Sequence, residues 1–187
     1  MKGLDIELSN GHFDIVSGSV FSAGGGSASL LCYEENDITY VKTDPQSGSL
    51  YEGRIVIPKD TETVKISLKR CSASVGEINT GNFKAELVGS SAEFALVTAR
   101  RIILSSGKSD VVIHAAPIVA AEFKCGFGST RILLKKSSRG YSFDTVCGAG
   151  ELTINSMKMK RIYKGGVPGG IPIKVSCGLG TVEIHNN

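Results

Sequence analysis

The sequence predicts an all-β fold: a single-stranded, right-handed parallel β-helix (β-solenoid) with irregular N-terminal turns. Glycine is abundant, at 23 of 187 residues, while aromatic residues make up 6% and Trp is absent. Val, Ile and Thr recur throughout, and this composition is typical of strands and turns. Short apolar–polar alternations also recur next to glycine-containing corners. The alternative is an antiparallel β-sandwich, which has short strands and frequent turns as well.

The repeat is clearest in three tetrapeptides of the pattern Cys-Gly-x-Gly, at 125–128, 147–150 and 177–180. Each follows a short alternating stretch and precedes another, as 143–146 and 152–154 do around the second copy. The unit is therefore a strand, a small-residue corner and a second strand. One such unit cannot bury its apolar face alone, so stacked units are expected to share a continuous core.

Stepping back from Cys125 in equal steps of 18 reaches further corners with similar flanking stretches. The six predicted structural repeat corners are Cys71, Gly89, Gly107, Cys125, Cys147 and Cys177, at steps of 18, 18, 18, 22 and 30. The glycine-rich insertion 164–170 accounts for the longest step. Glycine at a corner permits a positive φ, which lets the chain turn without a Cβ clash.

The N-terminal third follows the repeat less strictly. Residues 4–8 alternate cleanly, but the glycine-rich stretch 23–27 predicts a loop. Pro58 ends a strand-like segment, because proline cannot donate to a central ladder. We predict a single domain over residues 1–187, with irregular turns or a cap at 1–60 and regular repeats at 61–187.

A resemblance to a known family rests on two features of the sequence. Residues 55–58, Ile-Val-Ile-Pro, precede the glycine-punctuated repeats, and residues 177–184 close them with Cys-Gly-Leu-Gly-Thr-Val-Glu-Ile. Over roughly residues 37–187, the sequence resembles the bacterial putative-adhesin domains of unknown function. The resemblance implies a repetitive β-helical fold and an adhesin-like role, and it brings no catalytic residues with it.

The search for catalytic motifs favours a protein without enzymatic activity. No Gly-x-Ser-x-Gly elbow occurs, and the stretch 106–109 lacks the first glycine of a phosphate-binding loop, where Ile102 stands instead. His12, His114 and His185 lie far apart and have no i, i+4 partner. We predict no catalytic residue, no metal site and no cofactor. A polysaccharide-cleaving β-helix enzyme is the least favoured hypothesis, since the units show no cluster of acids.

The five cysteines are odd in number and form no Cys-x-x-Cys pair, which argues against a disulfide framework or a structural zinc site. Four of them occupy predicted corners, and equivalent positions of adjacent turns lie about 4.8 Å apart. A row of thiols could bind a soft metal or oxidise reversibly. A small buried side chain is the favoured alternative, because glycine fills the same corner elsewhere.

Charge is distributed unevenly along the chain, whose net charge is +3. Residues 1–99 contain 8 Lys/Arg against 13 Asp/Glu, while residues 100–187 contain 13 against 5. Two basic clusters form a candidate surface for an anionic ligand, although a solvated face is the more common role of such clusters. This candidate surface comprises Arg131, Lys135, Lys136, Arg139, Lys158, Lys160, Arg161 and Lys164. Few aromatics lie between them, which disfavours nucleic acid as the ligand.

We therefore expect a non-catalytic binding or scaffold module for an unknown protein or glycan. The alternative is a structural β-solenoid that assembles end to end, because its acidic and basic halves would attract each other. The longest apolar stretch, 111–121, is too short and too interrupted to span a membrane. Residues 1–5 lack the apolar core of a signal peptide, which predicts a cytoplasmic location, or the cell surface if a signal has been removed.

Overall fold

The structure, a computed structural model, describes residues 1–24, 30–44 and 51–186. These residues contain strands and turns but no helix, which confirms the all-β prediction. The strands of the N-terminal half are β1 (Gly3–Ser9), β2 (Gly11–Gly18), β3 (Ser22–Gly24), β4 (Leu30–Glu35), β5 (Ile38–Thr43), β6 (Tyr51–Pro58), β7 (Thr63–Lys69), β8 (Ser72–Val88) and β9 (Ser91–Ser106). Those of the C-terminal half are β10 (Ser109–Cys125), β11 (Gly128–Leu134), β12 (Tyr141–Cys147), β13 (Glu151–Ile154), β14 (Met157–Lys158), β15 (Ile162–Gly166), β16 (Ile171–Cys177) and β17 (Thr181–Asn186).

The strands pair in two long ladders. The first ladder has the order β4-β5-β1-β7-β8-β9-β10-β16-β12-β15. The second has the order β3-β6-β2-β8-β9-β10-β11-β17-β13-β14. All pairings are parallel except the outermost one at each end of each ladder. The predicted parallel sheet is thus confirmed, and the alternative of an antiparallel sandwich is wrong.

Three long strands, β8, β9 and β10, belong to both ladders, each contributing its first part to the second ladder and its last part to the first. Their register advances by an equal step near both ends of the strands, since Thr63 pairs with Asn82 and Asn82 pairs with Arg101. Between these parts, β9 and β10 slip by one residue, where Ala115 pairs with Val97. The equal step is one residue longer than the sequence-based step of 18. The reason is that the glycine corners do not occupy equal positions: Cys125 pairs with Ser106, one residue before Gly107.

The core consists of inward rows, in which residues of equal position stack from strand to strand. The central row of the first ladder is buried throughout and comprises Ile6, Ile66, Ala85, Leu104, Phe123, Val175 and Thr145. The matching row of the second ladder comprises Ile15, Val75, Phe94, Ile113, Ile132, Ile184 and Ile154. Burial of each large aliphatic or aromatic side chain contributes about 1.5–3 kcal/mol.

The two ends of the chain lie inside the ladders instead of at their outer edges. The first strand, β1, lies between β5 and β7, and β2 lies between β6 and β8. Near the C-terminus, β16 lies between β10 and β12, and β17 lies between β11 and β13. Within the region predicted as irregular turns or a cap, residues 3–18 are therefore inner strands. The outer end is formed by β3–β6.

The glycines of the Cys-Gly-x-Gly motifs allow neighbouring backbones to approach closely. A Cβ atom on Gly180 would lie 2.5 Å from the carbonyl oxygen of Gly128 and 2.8 Å from the sulfur of Cys125. A Cβ atom on Gly150 would likewise collide with the carbonyl oxygen of Gly180. Among the six motif glycines, only Gly128 has a positive φ, of 90°. Glycine is therefore needed in this motif mainly because adjacent strands leave no space for a Cβ atom.

We expect Gly180→Ala to lower the free energy of unfolding by about 1–3 kcal/mol, the usual cost of overpacking a tight site. The matched control is Gly107→Ala, because a Cβ atom there meets nothing closer than 3.6 Å. The control should stay within about 0.5 kcal/mol of the wild type. Urea unfolding followed by circular dichroism measures both values. Equal stability of the two variants would contradict the close-approach explanation.

Candidate functional site

A shallow groove of about 510 Å³ crosses the outward face of the second ladder, from β2 through β8, β9 and β10 to β11. Five strands at about 4.8 Å spacing give it a length of roughly 19 Å. Its polar lining consists of His12, Ser72, Ser74, Ser91, Glu93, Asp110, Ser129 and Arg131.

The parallel register places these side chains on one face. Ser72 pairs with Ser91, Ser91 with Asp110, and Asp110 with Ser129, at equal intervals along the chain. The neighbouring inward positions are buried, as at Ala73. Because successive residues of a strand point to opposite faces, the polar residues point outward.

Three interactions fix the margins of the groove. At one end, the Nδ1 atom of His12 lies 2.8 Å from the hydroxyl oxygen of Ser72. Towards the other end, the backbone N–H of Ser129 donates to Asp110 over 3.1 Å. Beyond it, the Nε atom of Arg131 donates to Glu183 over 2.9 Å. These contacts hold the flanking side chains in place, so the groove is preorganised at both ends.

The centre of the groove offers unpaired polar groups. The side chains of Ser74, Ser91 and Glu93 are exposed and make no hydrogen bond or ion pair within the described residues. The two hydroxyls can donate and accept hydrogen bonds and the carboxylate can accept them, which suits hydroxyl or amide groups of a ligand. With Glu93 and Asp110 in the lining and Arg131 neutralised by Glu183, the groove is acidic and poorly suited to an anion.

Sequence reasoning missed this groove and the two carboxylates in it. The sequence does contain a signal that these two stretches are equivalent, since Ser-Ala-Ser-Val at 72–75 recurs as Ser-Ala-Glu-Phe at 91–94, one register step later. Glu93 and Asp110 share one face on adjacent strands, although no cluster of acids was expected. Both are exposed, whereas a carboxyl that acts as a general acid is usually held in an apolar pocket.

The residues of the predicted anionic-ligand surface do not form one site. Arg131 lies in the groove, whereas Lys164 projects from β15 at the end of the first ladder. Lys158 forms an ion pair with Glu151 over 3.3 Å, and Lys164 forms one with Asp144 over 3.5 Å. The remaining members lie in the connections that flank β12 and β15, and all are exposed: Lys135, Lys136, Arg139, Lys160 and Arg161.

Three of the predicted corner cysteines lie in one row, in which Cys177 pairs with Cys125 on one side and with Cys147 on the other. The consecutive order expected from the sequence, 125-147-177, differs from this, because β16 inserts between β10 and β12. The other corners lie in connections between strands: Cys71 after β7, Gly89 after β8 and Gly107 after β9. The six residues therefore do not share one position of the repeat.

The thiols of this row are buried and poorly suited to nucleophilic chemistry. Cys177 donates its S–H to the carbonyl oxygen of Gly180 over 3.0 Å. Burial, reinforced by the neighbouring thiols of Cys147 and Cys125, raises the pKa of Cys177 to about 12. Burial also raises the pKa of Cys71. Cys32, on β4, is exposed.

The three histidines remain apart in the structure: His12 lies in the groove, His114 on β10 and His185 on β17. Across residues 1–24, 30–44 and 51–186, no three or more His, Cys, Asp or Glu side chains are grouped so as to hold a metal ion. The same residues include no helix of the length and apolarity needed to cross a membrane.

The raised pKa of Cys177 predicts a loss of stability at alkaline pH. The Cys177 thiol has a pKa of 9.0 in the unfolded chain and of about 12 in the folded protein, so the folded protein keeps this proton up to a higher pH. The thiol's contribution to stability is therefore complete below pH 9 and falls as the pH rises towards 12. Cys177→Ala should reduce the slope of the unfolding free energy against pH above pH 9. Ser176→Ala, an exposed neighbour, is the control, and equal slopes in all three proteins would contradict the prediction.

Comparisons with known proteins give a distant structural similarity. No family model matches the sequence, and no curated protein matches it. Among solved structures, the chain is similar to a putative cell adhesion protein from Clostridium sporogenes, with a TM-score of 0.49 and 15% sequence identity. The similarity covers 100% of this chain and 92% of that one. A similarity this distant transfers neither a function nor site residues.

Proposed function

We propose that this protein is a non-catalytic, adhesin-like binding module that holds a polar ligand in the groove of the second ladder. The observation that carries the proposal is the unpaired centre, Ser74, Ser91 and Glu93, between margins that are already hydrogen-bonded. A neutral glycan is the ligand that fits best, since its hydroxyl groups both donate and accept hydrogen bonds.

The proposal includes a right-handed β-solenoid as the architecture behind this surface. Its support is that β8, β9 and β10 each run through both ladders and advance by an equal register step near both ends of these strands. Such a coil repeats each outward position about every 4.8 Å, so an extended ligand meets similar groups along its length. The groove crosses five strands and offers such a series of positions.

Binding without cleavage is favoured by the form of the groove. It is shallow and open, so it does not close around a bound ligand and shield it from bulk water, as the active sites of many transfer enzymes do. One oxygen of Asp110 already accepts a hydrogen bond from Ser129, and Glu93 stands exposed on the next strand. We assign these carboxylates to ligand binding.

The test is a glycan array probed with labelled wild-type protein and with Ser91→Arg, which places a long cation in the centre of the groove. We expect the wild type to bind a subset of neutral glycans and Ser91→Arg to weaken binding at least tenfold. Ser105→Arg, at an outward position of the first ladder, is the matched control and should bind like the wild type. Equal binding by all three proteins would show that the groove is not the site.

A second readout on the same glycans separates binding from cleavage. Incubation of each bound glycan with the wild type should release no reducing ends and no unsaturated products. Product release that Glu93→Gln or Asp110→Asn abolishes would overturn the non-catalytic part of the proposal. A wild type that binds no glycan at all would overturn the choice of ligand.

A further inference from the structure

The two ends of the first ladder differ in charge and present strands with an open edge. At one end, β4 pairs with β5 through one edge, and no described strand pairs with its other edge. At the opposite end, β15 pairs with β12, and again no described strand pairs with its outer edge. An open edge exposes a row of backbone N–H and C=O groups that can pair with another chain.

The β4 end is acidic and partly apolar. Glu34 and Glu35 are exposed and form no ion pair within the described part of the chain, while Asp37 is paired with Lys2. The side chains of Leu31 and Tyr33 are 50% and 45% exposed. Tyr33 is held by a stacked contact with the ring of Tyr40, with ring centroids 4.9 Å apart. This end thus combines free carboxylates with a fixed apolar surface.

The β15 end has the opposite charge and a matching apolar surface. Lys160 and Arg161, just before β15, are exposed and form no ion pair among the residues that the structure describes. Met157 and Ile162 are 63% and 66% exposed. Val146, the partner of Ile162 across the β12–β15 pairing, is 54% exposed and extends this surface.

We infer that copies of this chain associate head to tail, with the β4 end of one copy against the β15 end of the next. Glu34 and Glu35 would face Lys160 and Arg161, and the exposed apolar side chains of both ends would be buried between them. This interaction goes beyond ligand binding in the groove, which lies on the outward face of the other ladder. The uneven charge distribution of the sequence already suggested an end-to-end assembly, and the β4 and β15 ends are the specific surfaces through which it would form.

The strand directions fix how the two copies must be oriented for such a contact. The strands from β5 to β12 in the first ladder are mutually parallel, and β4 and β15 are each antiparallel to that set. Glu34 and Glu35 lie at the end of β4, whereas Lys160 and Arg161 lie just before the start of β15. These charges therefore meet when β4 of one copy runs antiparallel to β15 of the next, which requires each copy to be turned by half a turn about the stacking direction relative to its neighbour. A heterologous contact of this kind does not close on itself, so association should continue beyond a dimer.

Sedimentation velocity at increasing protein concentration tests this inference. At about 10 mM salt the Debye length is about 30 Å, and the wild type should form species that grow in steps of one 19.7 kDa chain. At about 1 M salt, where the Debye length is about 3 Å, the species should shrink. A wild type that stays monomeric at low salt, or that stops at a dimer, would overturn the inference.

Charge reversal identifies the surfaces. The variant Glu34→Lys/Glu35→Lys has two basic ends, and Lys160→Glu/Arg161→Glu has two acidic ends, so each alone should associate at least about tenfold more weakly than the wild type. An equimolar mixture of the two should regain association, because every end then finds one of opposite charge. The control Arg100→Glu/Arg101→Glu makes the same charge change at exposed positions on the side of the ladders and should associate like the wild type. Failure of the mixture to recover, or equal loss in the control, would overturn the proposed contact.

Discussion

In-register pairing of parallel strands is the constraint on which this structure depends. Because side chains alternate between the two faces of a strand, a slip of one residue would turn every inward side chain outward. The same register that stacks Ile66 on Ala85 in the core also aligns Ser72 with Ser91 on the surface. Core and groove are therefore two consequences of one register step, and neither can change its spacing independently.

The all-β, mostly parallel character of the fold could be predicted from local pattern alone. Alternation in stretches such as 4–8 identifies strands, and recurrence of the corners indicates parallel stacking, both of which the structure bears out in its mostly parallel ladders. The register step between successive strands was harder to predict from the sequence. Glycines mark places where backbones come close, and these are not equal positions of successive strands. Counting from Gly107 instead of Ser106, the true partner of Cys125, therefore makes the step one residue too short.

The order of the strands and the candidate site could not be predicted from local sequence patterns, because both depend on residues that are distant in sequence. Nothing in residues 171–177 indicates that β16 lies between β10 and β12, because both of its partners are far away along the chain. The groove needed the correct step, since only that step brings Glu93 and Asp110 to one face. The basic residues were visible in the sequence, but their relative positions depend on the strand order, and their ion pairs, such as that of Arg131 with Glu183, join strands distant in sequence.

The insertion of both chain ends into the ladders has a consequence for how the chain folds. In most repeat proteins, folding spreads from each repeat to the next, since contacts are local. Here β1 must meet β7 although five strands intervene in the sequence, and β16 must enter a gap bounded by β10 and β12. Such non-local closures raise the contact order and slow folding. A nascent chain can therefore build its middle early, but these inner ladder positions are filled only after β16 and β17 have been synthesised.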